Sequence, residues 1–229
     1  PGGRADGMMA AVARKSRRGA ILRCFTEMVA ERGYDEVSVR DVAEELEISK
    51  GTVLHHFGSK AALLEELNAA YMRRRLAEAE EFLARFDQPI DQLQMIVYQL
   101  MLSQQDDRAA TVAFSREIVR SASEEVMAEV RSMRDQYSEI VIGIIARGVR
   151  SGDFAKVDSR LTALQVFGMC NWAWTWFVPE GKKTATQIAD QYCRTLIGGL
   201  APGAVPKLKG KALCDAVEAA MAANRPDPE

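Results

Sequence analysis

The chain has 229 residues, 48% hydrophobic and 27% charged, with a net charge of −2. That balance belongs to a soluble globular protein of one or two domains, and the near-neutral total excludes bulk basic charge as the sign of a nucleic-acid partner. Residues 1–13 lack the long apolar core of a secretory signal, and Cys24, Cys170, Cys193 and Cys214 are too far apart for a metal-type pair. The expectation is a cytoplasmic chain whose cysteines are reduced packing residues, with no metal site. Pro1-Gly-Gly precedes Met8-Met9, so residues 1–7 are set aside from the fold reasoning.

The elements read as helices throughout. A first helix runs from about Ser16 to Arg32, with Ala20, Ile21, Cys24, Phe25 and Met28 on one face and Gly33 as its C-cap. Arg14, Lys15, Arg17 and Arg18 crowd its start. Alone they would be a solvated basic tail; beside a DNA-binding motif they can meet phosphates. Ser38 is a good N-cap for a second helix, with Asp41 in its first turn and Val39, Val42, Ala43 and Leu46 at helical spacing. Ser49 caps a third helix about two turns long, whose apolar face is Val53, Leu54 and Phe57. So short a helix is marginal alone and must be held by its neighbours, as the second helix of a helix-turn-helix is. A long fourth helix runs from Ser59 to about Ala84. Its start carries Leu63, Leu64 and Leu67, and its middle reads polar, with Arg73 to Arg75 and Glu78 to Glu81.

Pro89 suits the first turn of a fifth helix bearing Leu93, Ile96, Val97, Leu100 and Met101. Asp106-Asp107 breaks it, and a sixth follows to about Arg120. Ser121 to Arg150 reads as one helix. Leu161 to Val178 contains no charge. Its length reaches that of a membrane span, but Thr162, Gln165, Asn171 and Thr175 make it a poor one. A helix buried on both faces, one by its own domain and one by a second subunit, is the simpler reading. Thr184 to Leu200 is the last long helix. Lys209 to Asn224 reads as a short alanine-rich helix, and residues 225–229 as a frayed end.

Ser38, Arg40, Val42-Ala43, Ile48 to Thr52, His56-Phe57 and Ser59-Lys60 closely resemble the DNA-binding signature of the TetR (tetracycline-repressor) family of bacterial one-component regulators. The resemblance is strong over residues 16–67 and beyond them rests on helix count and length. Glu47 stands where that family usually has glycine, so it must accept the turn without glycine's freedom at positive φ. Leu54 stands where it usually has a tyrosine that touches a DNA phosphate. The resemblance implies an all-α dimer with a helix-turn-helix domain over 14–60, an effector and dimerisation domain over 61–200, and a tail over 201–229. It implies phosphate contacts from Ser38, Thr52 and Lys60. Arg40 and Lys50 are the candidates for base edges, since arginine reads guanine O6 and N7 in the major groove. Arg17, Gly51 (close backbone approach), His55 and His56 complete the candidate interface.

A catalytic reading finds little support. Both histidines, His55 and His56, lie in the third helix, about 100° apart on it, and no phosphate-loop or nucleophile motif occurs. No catalytic residue and no cofactor is expected. For an effector site the candidates are Tyr98, Met101, Phe114, Met133, Tyr137, Phe167, Asn171 and Trp174. Each also reads as plain core, and Asn171 stands out as an amide in an uncharged helix. Trp172, Trp174 and Trp176 turn about 200° per step and cannot all face one cavity. The stretch from Asn171 to Gly181 with Thr186 to Tyr192 resembles regulators of lipid, fatty-acid or steroid catabolism. That resemblance implies a hydrophobic acid or its coenzyme A thioester as effector, with Arg73 to Arg75, or Arg116 and Arg120, available to phosphates. The expected partners are a palindromic double-stranded operator and a second copy of the chain, joined through residues 158–178 and 184–200; no membrane is expected. The rival is an acyl-CoA or lipid-binding protein whose DNA domain is weak or vestigial.

Overall fold

The computed structural model describes residues 2–117, 127–203 and 210–225, with side chains from Ser16 onward. Ten α-helices and one 3-10 turn follow one another in these residues, with no strand among them. They are α1 (Gly2–Arg32), α2 (Val39–Glu45), α3 (Lys50–Phe57), α4 (Lys60–Arg85), α5 (Pro89–Asp106), α6 (Arg108–Glu117), α7 (Ala128–Ser151), α8 (Ser159–Asn171), the 3-10 turn (Trp172–Thr175), α9 (Ala185–Leu200) and α10 (Gly210–Ala223). Residues 118–126, which include Arg120 and the expected start of the long seventh helix, lie outside the described residues, as do 226–229.

The caps fall where the residue types require them. Gly33 leaves α1 at φ +88°, and its N–H donates to the Val29 carbonyl at 2.9 Å. Ser59 Oγ accepts from the Ala62 N–H at 3.1 Å and opens α4. Pro89 occupies the first turn of α5. Three expectations are corrected. The first helix starts at Gly2, not Ser16. The uncharged stretch is not one helix to Val178: α8 ends at Asn171 and tightens into the 3-10 turn, releasing the tryptophans from a single helical register. The middle of α4 is not wholly a solvated face, since Arg75 and Glu78 are buried. The short alanine-rich helix is present as α10, which buries Leu213, Val217, Ala220 and Met221 and packs on α4, α5 and α9.

Helix α5 is the axis of the C-terminal part. Gln92 to Gln104 are all buried, and α4, α6, α7, α8, α9 and α10 surround it. Tyr98, fully buried at its centre, donates its hydroxyl to Asp190 on α9. All four cysteines are free and buried. Helix α6 reaches back to α1: Arg116 donates to the Ala30 and Glu31 carbonyls at 2.8 and 3.1 Å, and buried Glu117 accepts from the Tyr34 N–H at 3.0 Å. The carbonyls left over at the C-terminus of α1 are thus capped by the neighbouring domain. No helix among the described residues is long and apolar enough to cross a membrane.

Candidate functional site

Two places on the molecule carry the candidate residues. At the N-terminal end, α2 and α3 are fixed by their own caps. Ser38 Oγ accepts from the Asp41 N–H at 3.2 Å while Asp41 Oδ2 accepts from the Ser38 N–H at 2.6 Å, a reciprocal capping box. The two hydrogen bonds to Ser38 hold the Asp41 carboxyl below its ordinary range. Ser49 Oγ accepts from the Thr52 N–H at 3.0 Å, and the two hydroxyls are 2.9 Å apart. Glu47 does sit in the left-handed region, at φ +52°, the strain that glycine would avoid. Leu54, in the place of the expected tyrosine, is half-buried and packs against the core. Val42 and Val53 are fully buried in the same core as Ile21 and Phe25 of α1.

This packing turns one face outward. Ser38, Arg40, Lys50, Gly51 and His55 are exposed, and Thr52, His56 and Lys60 are half-buried beside them. Arg40 Nε donates to Glu44 Oε1 at 2.6 Å, but both side chains are mostly exposed, so the pair is weak and can open for another acceptor. Lys60 Nζ donates to the Asp35 carbonyl at 3.4 Å and lies 4.1 Å over the Tyr34 ring. That contact holds the lysine at the rim, where α6 also grips Tyr34. The His55 and His56 rings meet edge-on at 5.6 Å. The basic cluster divides. Arg17 is exposed, whereas Arg18, itself part-exposed, stacks 4.4 Å over Phe57 and pairs with Glu66 at 3.0 Å. Arg14 and Lys15 have no described side chains.

Gly51 separates internal from external constraint. A Cβ there would stand 3.5 Å from Ser49 Oγ, an ordinary contact, and its backbone does not need positive φ. The fold therefore does not require glycine at 51. Gly51→Ala should leave the domain folded, or raise its stability by about 1 kcal/mol through helix propensity. Where the resemblance to the TetR signature implies a close backbone approach to a duplex, the added methyl should at the same time weaken binding severalfold. Thermal melts and DNA titrations on one sample check both halves.

The second place is a cavity of about 230 Å³ among α4 to α8, lined by Tyr71, Met72, Arg75, Leu100, Phe114, Arg134, Tyr137, Ser138, Leu164, Phe167 and Asn171. Phe114 stacks on Tyr71 with ring centroids 4.4 Å apart, and Tyr137 meets Phe167 at 6.0 Å. Of the eight sequence candidates, Phe114, Tyr137, Phe167 and Asn171 are brought together here. Tyr98, Met101 and Met133 are not among the lining residues: they are buried packing groups, and Tyr98 spans to α9. Trp174, half-buried in the 3-10 turn, is also outside the lining. Asn171 is exposed at the end of α8, so solvent can satisfy its amide and no ligand is needed to do so.

Sequence reasoning missed the polar floor of this cavity. Arg75 Nη2 donates to Glu78 Oε1 at 2.8 Å, Gln99 Nε2 donates to Glu78 Oε2 at 2.5 Å, and the Tyr137 hydroxyl donates to Gln99 Oε1 at 2.5 Å. Burial pushes the Glu78 carboxyl up, while Arg75 beside it pulls it back. Burial pushes the Tyr137 hydroxyl well above its ordinary range, so it stays protonated and a donor. A usable signal existed. Leu64, Tyr71, Arg75, Glu78 and Phe82 share one helical stripe, and a complementary pair inside an apolar stripe marks a buried pair. A wider cleft of about 270 Å³ lies between α1, α4 and α6, where Arg74 and Asp107 already pair at 2.7 Å.

Comparison with known proteins matches two stretches of the chain. The family model described as bacterial regulatory proteins, tetR family, matches residues 21–67, and that of the tetracyclin repressor-like C-terminal domain matches residues 87–200. The HTH-type transcriptional repressor KstR2 of Mycobacterium tuberculosis is 27% identical over 81% of this chain and 93% of its own length. The regulator PfmR of Thermus thermophilus superposes with a TM-score of 0.72 at 30% identity, over 78% of this chain and 97% of that one. AibR, solved in complex with isovaleryl coenzyme A and operator DNA, has the same fold, with a TM-score of 0.74 at 22% identity over 80% of this chain and 99% of its own.

Proposed function

The chain belongs to the tetR family of bacterial regulatory proteins, transcriptional repressors that bind DNA through a helix-turn-helix, and from that premise we propose that it is a dimer that holds a palindromic operator and is released from it by a hydrophobic acyl ligand. The observation that carries this reading is the pairing of the two sites: an outward face of Arg40, Lys50, Gly51 and Thr52 on α2 and α3, and an aromatic cavity behind it on α4 to α8. AibR was solved with an acyl thioester and its operator, which supports an acyl ligand for a chain of this fold.

Helix α6 joins the two sites. Phe114 stands in the cavity wall, and Arg116 and Glu117, two and three residues on, hold the end of α1 and the Tyr34 backbone. Tyr34 in turn carries Lys60. A ligand that displaces Phe114 therefore moves α6 against α1. Helix α6 is a short link between the two sites. Release is a population shift, bounded by the ligand's differential affinity for the two arrangements.

Two substitutions test the DNA half. Arg40→Ala should lower operator affinity roughly ten- to a hundredfold and relax preference at one base pair, whereas Lys60→Ala should weaken all sequences alike and flatten the salt dependence. Binding curves on an operator and its single-base variants distinguish the two. An Arg40→Ala protein with unchanged base preference would remove Arg40 from the base-reading role.

A further inference from the structure

Buried donors almost always have partners, and Arg75 is an exception. Its side chain is only 3% exposed. Nη2 is shared between Glu78 and, at 3.6 Å, Asp107, but Nε and Nη1 have no hydrogen-bond partner in the fold. Burial alone would lower the pKa of its guanidinium, and Glu78 and Asp107 raise it on balance, so it remains a cation. The same residue forms part of the wall of the aromatic cavity, whose lining contains Arg75 and Arg134 and no carboxylate. The Tyr71 ring, 5.1 Å away, covers one side of the guanidinium. Glu78 is fully occupied by Arg75 and Gln99, and Gln99 by Glu78 and Tyr137. The network thus leaves two buried donors unpaired on a residue that lines the cavity, and that lining has no carboxylate to match them.

We propose that Arg75 reads the oxygen of the effector: its two unpartnered nitrogens donate to a carboxylate or a thioester carbonyl that enters the cavity. This rests on the reading of the cavity as the effector site. The volume limits the ligand. A cavity of about 230 Å³ suits a short or medium acyl chain. Arg75 is a specificity residue in this scheme. It selects a carboxylate from an equally apolar alcohol because only the anion pairs with the guanidinium charge through two oxygens, and a thioester from a thioether because only the thioester brings a carbonyl oxygen.

The test is calorimetric binding to the full-length protein with two matched pairs of probes: octanoate against 1-octanol, and octanoyl-CoA against S-octyl-CoA, which lacks the carbonyl. The wild type should favour the acyl member of at least one pair by tenfold or more. Preference within the first pair identifies a carboxylate ligand, and within the second a thioester carbonyl. Because Arg75→Gln alone strands Glu78, the working variant is Arg75→Gln with Glu78→Gln, which keeps amides in place of the ion pair. It should bind both members of each pair within threefold. Ser138→Phe, which fills the cavity from α7, should abolish binding of all four probes. If the double variant keeps the tenfold preference while Ser138→Phe blocks binding, the Arg75 assignment falls and the effector-site reading stands. If Ser138→Phe leaves binding unchanged, the ligand sits elsewhere and both fall. A wild type that binds no probe, or shows no acyl preference, overturns the Arg75 assignment.

Discussion

Replacing Leu161 and Trp172 together by glutamate should give a folded monomer whose operator affinity drops to near its non-specific level, a loss of about a thousandfold or more. All the large hydrophobic side chains exposed among the described residues lie in one stretch: Leu161 (61%), Leu164 (58%), Trp172 (64%), Trp176 (46%) and Val178 (57%). So contiguous an apolar patch marks an interaction surface. The exposed side of α9, with Gln191, Thr195, Gly198 and Gly199, supplies small and polar groups that let a second helix pair approach. A two-fold interface places the same patch on both subunits. Because these side chains are already in water in the single chain, introducing charge there should cost the monomer little. Half-site binding by a monomer forfeits the second set of contacts, hence the size of the effect. Leu164 is left alone in this design since it also lines the cavity. Sedimentation velocity and DNA titration read the outcome. A variant that stays dimeric, or a monomer with undiminished operator affinity, would place the interface elsewhere.

Glu78→Ala should be strongly destabilising, at about 3–5 kcal/mol. The carboxylate is fully buried and binds both Arg75 and Gln99. Its removal leaves a buried guanidinium with only Asp107 at 3.6 Å, and leaves a Gln99 N–H with fewer acceptors. The penalty comes from the stranded charge more than from the lost bond. Arg75→Met with Glu78→Leu should therefore recover most of the loss, since apolar replacement of a whole buried pair is often neutral. Urea denaturation of the three proteins measures this. A Glu78→Ala loss below about 1 kcal/mol would mean that water reaches Arg75 in the native state.

Much of the DNA-facing half was legible because its determinants are local. Ser38, Ser49 and Ser59 announce three helix starts within about one turn of chain each, and the structure shows each hydroxyl accepting the expected N–H. Glu47 was expected to bear a positive φ and does. The cavity was half legible. Phe114, Tyr137 and Phe167 line it, but aromatic residues look alike in sequence whether they line a cavity or fill a core, and Tyr98 proved to be a strut to Asp190. Arg75 and Glu78 were hidden because a run of arginines and glutamates reads as a solvated face until the helix is oriented. The surroundings of Arg18 were hidden for a related reason: its sequence neighbours are basic, but its spatial neighbours are Phe57 and Glu66. Long-range contacts such as Arg116 to the end of α1 leave no trace in local pattern at all.

The central claim is that this fold reads a specific two-fold DNA sequence, and selection of bound duplexes from a random pool by the full-length protein tests it most directly. The expected result is enrichment of an inverted repeat whose half-site centres lie one helical turn, about 34–36 Å, or a multiple of it apart. Retention of DNA with no enriched sequence, or none retained at low salt, would contradict it and leave a ligand-binding protein with a vestigial helix-turn-helix.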